Sequence, residues 1–189
     1  MMSVSTQVPQ PSPLNIALTG MMGSGKSSVG IALAECLGWR FVDTDAAIVA
    51  ATGRAISEIF ATEGEEAFRN LETSALCNAV AGEQAVIATG GGAILRLRNR
   101  EILWSRCWVV WLAASPAEHA RRVLQSERRP VLDRYSDPVE GARELLAARE
   151  PFYSLAHHTV DTTGLTIDGV VSAIYSAWQD LATQASFAT

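Results

Sequence analysis

The stretch Gly20-Met21-Met22-Gly23-Ser24-Gly25-Lys26-Ser27 has the Gly-x-x-x-x-Gly-Lys-Ser spacing of a phosphate-binding loop. Backbone that wraps closely round an anion turns its N–H groups inward and leaves no room for Cβ atoms, so glycine is required there. Lys26 would reach the β- and γ-phosphates of a nucleoside triphosphate, and the Ser27 hydroxyl would bind Mg²⁺. Lys26 is also the single lysine among 15 Lys and Arg residues. A slim ammonium is wanted at that point, where a broad guanidinium fork would not fit.

A phosphate donor needs an acceptor, and other residues could hold one. Asp43 and Asp45, in Phe41-Val42-Asp43-Thr44-Asp45, follow a β-rich run. Two carboxylates there would stand at the carboxyl edge of a sheet, where ligands of open α/β folds bind. Residues two apart can address one side, Asp43 towards the metal and Asp45 towards the acceptor. Taken alone, Asp-x-Asp after a strand reads as a helix N-cap or turn. The phosphate loop tips that balance towards a site. Arg69 and Glu72 are three apart on a helix, and their plain reading is a surface ion pair worth a few tenths of a kcal/mol. Gly90-Gly91-Gly92 is either a sharp turn or a place where a ligand meets the main chain. Arg121, Arg122, Arg128, Arg129 and Arg134 crowd one segment, in which Arg129-Pro130 suits a mobile lid over phosphates. Arg149, just before Pro151, stands where a helix is expected to end. His119, His157 and His158 lack metal spacing and read as exposed or strand residues.

The elements that must carry these groups alternate along the chain. Strands are expected over residues 14–19, 39–43, 84–89, 107–113 and 157–162. A helix follows the loop to Leu37 with Gly38 as its stop. Ser57 opens a helical stretch that Gly64 interrupts, and a second helix runs from about Glu65 to Ala81. Ser115-Pro116-Ala117-Glu118 and Asp137-Pro138-Val139-Glu140 are helix-start signatures, the second helix ending near Arg149. A last helix covers Asp168 to Leu181. Five short buried strands alternating with helices indicate an α/β fold: a parallel sheet covered on both faces.

Length and composition narrow the function classes. The 189 residues fit one domain, spanning about 14–182 after a disordered leader over 1–13 and before a flexible tail over 183–189. A formal net charge of -5 argues against a nucleic-acid binder. No apolar run nears the roughly 20 residues that cross a bilayer, and the N-terminus lacks a secretory pattern. Cys36, Cys77 and Cys107 lack metal or disulfide spacing, which suits reduced packing thiols in the cytoplasm. A regulatory GTPase is excluded, because the guanine-reading Asn-Lys-x-Asp element needs a second lysine.

In order along the chain, the phosphate loop, Phe41-Val42-Asp43-Thr44-Asp45, Phe68-Arg69-x-x-Glu72, Gly90-Gly91-Gly92, Arg129-Pro130, Arg149-x-Pro151-x-Tyr153 and Val160-Asp161-Thr162 resemble the shikimate kinase family. The resemblance implies a three-layer P-loop kinase fold with strand order 2-3-1-4-5, a substrate-binding segment over about 44–81 and a lid over about 125–136. It also implies a monomeric enzyme that moves the γ-phosphoryl group of ATP to the 3-hydroxyl of shikimate. Gly23, Ser24, Gly25, Lys26, Ser27 and Ser28 would then hold the ATP phosphates, joined by Arg129 of the lid. Ser27 and Asp43 would bind Mg²⁺. Asp45 would accept from shikimate hydroxyls and act as general base. Arg69 and Arg149 would clamp the shikimate carboxylate, with the N–H groups of Gly91 and Gly92 completing the pocket. The segment after Asp161 would lie against adenine. Ser28 stands where the family usually has threonine, and Phe152 where it often has leucine. A related kinase for another polyol acid such as gluconate, or a catalytically silent ATP-binding module, are the alternatives.

Overall fold

A computed structural model describes residues 15–124 and 137–187. The expected leader over 1–13 and lid over 125–136, with Arg128, Arg129 and Arg134, lie outside the described residues. Five parallel strands, β1 (Asn15–Thr19), β2 (Arg40–Asp43), β3 (Ala85–Ala88), β4 (Trp108–Ala113) and β5 (His158–Asp161), form one sheet in the order β2-β3-β1-β4-β5. Every residue of β1 is buried because it is the central strand, with neighbours on both edges and helices on both faces.

Alternation along β1 divides the core into two layers. Ile16 and Leu18 point to one face and pack with Leu33 of α1 (Lys26–Leu37) and Ile174 of α7 (Ile167–Phe187). Ala17 points to the other, among Leu76 of α3 (Ile56–Ala79), Leu103 of α4 (Leu97–Arg106) and Tyr153 of α6 (Pro138–Tyr153). Leu33 and Leu103 are wholly buried, so truncating either to alanine costs about 2–5 kcal/mol. α5 (Pro116–Leu124) packs on α6 through Ala120, Val123 and Ala142, while Ile48 of α2 (Thr44–Thr52) meets Ile59 and Phe68 of α3.

Several ends form as expected. Gly38 closes α1 at φ 67° with its N–H on the Ala34 and Glu35 carbonyls, and Gly64 breaks α3 at φ 84°. Ser115 accepts from the Glu118 N–H at 3.2 Å, and Asp137 from Val139 at 2.8 Å, each capping its helix. Other expectations need correction. α2 begins directly where β2 stops, on the cap that the Asp-x-Asp spacing offers, whereas α4 is an additional helix with no side-chain cap on its first turn. α6 passes Arg149 and runs through Pro151 to Tyr153, because the proline costs one N–H in the last turn while Tyr153 is locked in the core. α7 continues to Phe187, beyond its expected end at Leu181 and through most of the expected tail. Only Cys107 packs inside, where burial pushes its thiol up to about 12, whereas Cys36 and Cys77 are exposed. Among the described residues, no helix is long and apolar enough to cross a membrane.

Candidate active site

The loop between β1 and α1 carries three glycines with positive φ, Gly20 at 143°, Gly23 at 71° and Gly25 at 89°. A methyl group on Gly20 would lie 2.7 Å from the Leu112 carbonyl, so this turn is closed to any larger residue. Gly25 caps α1 without a side-chain acceptor, leaving the first amides of the helix directed at the loop mouth. Lys26 Nζ donates to the carbonyls of Gly20 at 2.9 Å and Met21 at 2.8 Å, and to Ser24 Oγ at 3.4 Å. Burial lowers Lys26 to about 8, opposed by Asp45 and Asp43 and reinforced by Arg149. Ser28 is exposed beside Ser27 on the first turn.

Asp43 is the helix cap that its plain reading offers, and its second oxygen faces the phosphate loop. Its Oδ1 accepts from the N–H groups of Asp45 at 3.0 Å and Ala46 at 3.1 Å, capping α2. Its Oδ2 accepts from Ser27 Oγ at 2.7 Å. A hydroxyl and a carboxylate brought together at the phosphate loop are the hard oxygen donors that Mg²⁺ prefers. Two protein donors leave its remaining positions for phosphate and water.

The groups expected to hold an acceptor gather around the glycine triplet after β3. A methyl group at Gly90 would lie 2.8 Å from Asp45 Oδ1 and 3.0 Å from Glu72 Oε1. One at Gly91 would lie 3.7 Å from Arg149 Nη1, and one at Gly92 2.8 Å from both terminal nitrogens of Arg69. Each glycine thus faces one of the groups expected to hold substrate. Gly91 also borders the phosphate loop, its methyl position being 3.4 Å from the Gly20 carbonyl and 3.5 Å from the Met22 nitrogen.

Arg69 and Glu72 form a pair whose carboxylate is buried and whose guanidinium stays partly open, rather than a surface one. Glu72 is 0% exposed and takes two bonds from Arg69 Nη1 at 3.1 and 3.0 Å, while Glu65 engages Nε and Nη2. Desolvation raises the Glu72 carboxyl above its ordinary range, with Arg69 opposing. Asn99 donates to Glu72 at 3.3 Å and to the Ala93 carbonyl at 3.0 Å, fixing the pair to the turn after the glycines. Thr44 was also missed. Its hydroxyl accepts from the Gly90 N–H at 3.1 Å and ties α2 to the triplet. A hydroxyl between two aspartates was the available signal.

On the opposite flank, Arg122 bonds Thr162 through its hydroxyl at 3.0 Å and its carbonyl at 2.9 Å, fastening α5 to the segment after β5. Arg121 is exposed and paired with Glu118. His119 corrects the expectation of an exposed or strand residue, being a helix residue 1% exposed behind the phosphate loop. Burial first, then Lys26 and Arg122, pushes its imidazole down to about 4. His158 lies in β5 as read, and His157 Nδ1 accepts from the Val109 N–H at 2.9 Å.

The family model described as shikimate kinase matches residues 22–179. A shikimate kinase of Symbiobacterium thermophilum is 46% identical over 170 residues, covering 88% of this chain and 97% of that one. A shikimate kinase of Geobacter metallireducens is 43% identical over 175 residues, covering 92% and 96%. Among solved structures, a shikimate kinase from Acinetobacter baumannii in complex with shikimate superposes with a TM-score of 0.83 at 37% identity, over 92% of this chain and 95% of that one.

Proposed function

The chain belongs to the shikimate kinase family, and from that premise we propose how its own side chains carry the γ-phosphoryl group of ATP to the 3-hydroxyl of shikimate, a step of aromatic amino-acid biosynthesis. One observation supports the assignment above the others. Gly91 borders the phosphate loop on one side and Arg149 on the other, so donor and acceptor groups meet at a single peptide.

Gly23 to Ser28 and the open amides of α1 hold the triphosphate, and Lys26 leaves the Gly20 and Met21 carbonyls for its β- and γ-oxygens. Ser27 and Asp43 hold Mg²⁺, which when bound draws charge from the transferring group. Arg69 and Arg149 take the shikimate carboxylate, Arg69 with its orientation fixed by Glu72 and Glu65. Asp45, against Gly90 and within the field of Lys26, accepts from the acceptor hydroxyls and takes the proton released on attack. Arg129 is assigned to the transferring phosphates, and the stretch after Asp161 to adenine. The rate gain comes from positioning and charge stabilisation, the main sources of catalysis in phosphoryl transfer. A nucleoside monophosphate would bring a dianion up to Asp45 and Glu72, which disfavours nucleotide kinase activity. We assign the protein to the cytoplasm as a monomer, where ATP is supplied and the exposed thiols of Cys36 and Cys77 stay reduced.

The test is ADP release by the full chain with Mg²⁺ and ATP, given shikimate, gluconate or no acceptor. Turnover with shikimate alone is expected. Equal turnover without acceptor, or a preference for gluconate, overturns the assignment.

A further inference from the structure

Tyr153 is the largest wholly buried side chain among the described residues, yet it ends in a hydroxyl that donates a 2.6 Å hydrogen bond to the Gly91 carbonyl. Its ring stacks on Trp111 of β4, centroids 5.7 Å apart and planes 16° from parallel, so the phenol cannot swing away. Arg149 lies one turn earlier on the same helix, and its charge acts on the phenolic oxygen. Burial still pushes the hydroxyl up to about 12, so it remains a donor throughout the working pH range.

The bond has a consequence on the far side of the peptide. Among the described residues no peptide is cis, and in a trans peptide C=O and N–H point opposite ways. Drawing the Gly91 carbonyl towards Tyr153 therefore turns the Gly92 N–H in the other direction. Gly92 is the residue against which the Arg69 guanidinium rests. One hydroxyl thus touches the peptide between the two arginines and approaches one of them.

We propose that Tyr153 is a positioning residue for the acceptor, its hydroxyl setting the Gly91–Gly92 peptide and Arg149 in the register that receives the shikimate carboxylate. This rests on the assignment of Arg149 and Gly92 to the acceptor. Gly91 also borders the phosphate loop, but Lys26 bonds Gly20, Met21 and Ser24 and not Tyr153, so the smaller effect is expected on the donor.

The experiment compares steady-state kinetics and thermal stability of the full-length wild type, Tyr153→Phe, Arg149→Ala and the double variant. Tyr153→Phe is expected to raise KM for shikimate roughly 5–10-fold, the loss of one ordinary hydrogen bond, with KM for ATP changed by less than about twofold. In the Arg149→Ala background the same substitution is expected to add less than about twofold. Equal rises in both KM values, a lowered Tm with both unchanged, or full multiplication in the double variant overturns the proposal. If Arg149→Ala raises KM for shikimate and Tyr153→Phe does not, only the Tyr153 role falls. If Arg149→Ala itself changes nothing, the acceptor assignment falls and this proposal with it. Should Tyr153→Phe not fold, wild-type protein carrying 3-fluorotyrosine is read by fluorine NMR, its resonances assigned with Tyr175→Phe and Tyr135→Phe. The Tyr153 resonance is expected to move on addition of shikimate and not of ADP. A resonance indifferent to shikimate overturns the proposal.

Discussion

Ser27 and Asp43 are joined by a 2.7 Å hydrogen bond that links the first turn of α1 to the cap of α2. One carboxylate therefore closes the fold of the acceptor segment with one oxygen and faces the donor loop with the other. The two duties separate by substitution. Asp43→Asn keeps a capping side chain and should leave stability nearly unchanged, whereas Asp43→Ala should cost about 1 kcal/mol. Both should lower kcat by roughly 10²-fold and raise the Mg²⁺ needed for half-maximal rate. Denaturant melts beside Mg²⁺ titrations of activity check this.

Arg69 and Glu72 should show the asymmetry of a buried ion pair. Removing the arginine alone strands a buried carboxylate, so Arg69→Ala is expected to destabilise by roughly 2–3 kcal/mol and to raise KM for shikimate tenfold or more, far beyond any change for ATP. Adding Glu72→Gln should return most of the stability and none of the shikimate affinity. Comparable losses for both substrates would remove Arg69 from the acceptor site.

Gly92 offers a steric probe of the same site. Its φ of -96° is ordinary, so Gly92→Ala adds no backbone strain, and any fall in Tm reports the disturbed Arg69–Glu72 pair. The new methyl would meet Arg69 at 2.8 Å and force the guanidinium aside. Misplacement of a clamp by under 1 Å should raise KM for shikimate by roughly tenfold. Kinetics with each substrate varied in turn measure it.

His119 predicts an acid-side loss of stability. Its folded pKa of about 4 lies below the ordinary 6.5, so the unfolded chain binds the extra proton first. Stability is full above pH 6.5 and falls as pH drops through the window towards 4. The loss amounts to about 2–3 kcal/mol. Glu118 opposes the shift, while Lys26 and Arg122 deepen it. His119→Gln, which cannot charge, should flatten the stability profile across this window. Denaturant midpoints at several pH values test the difference.

The loop, both aspartates, the glycine triplet, Arg69 and Arg149 stand out in the sequence because their chemistry fixes residue type and spacing whatever surrounds them. What stayed hidden depended on tertiary context. Glu72 and His119 look like surface groups in one dimension, and only the packing of α3 against α4, and of α5 behind the loop, takes them out of water. α4 eluded notice because its sequence, Leu97-Arg98-Asn99-Arg100-Glu101, opens with charge and no cap, and is held by Leu103 and Asn99 turning inward. Pro151 misled because its cost is local, while the anchoring of Tyr153 is not.

The solitary lysine makes the donor loop chemically addressable. An acylating reagent meets one side-chain amine in the whole chain, and at about 8 that amine is a free nucleophile near neutrality. Loss of activity on mild carbamoylation or acetylation would therefore follow label at Lys26, counted apart from label on the α-amino group, and bound nucleotide would shield it.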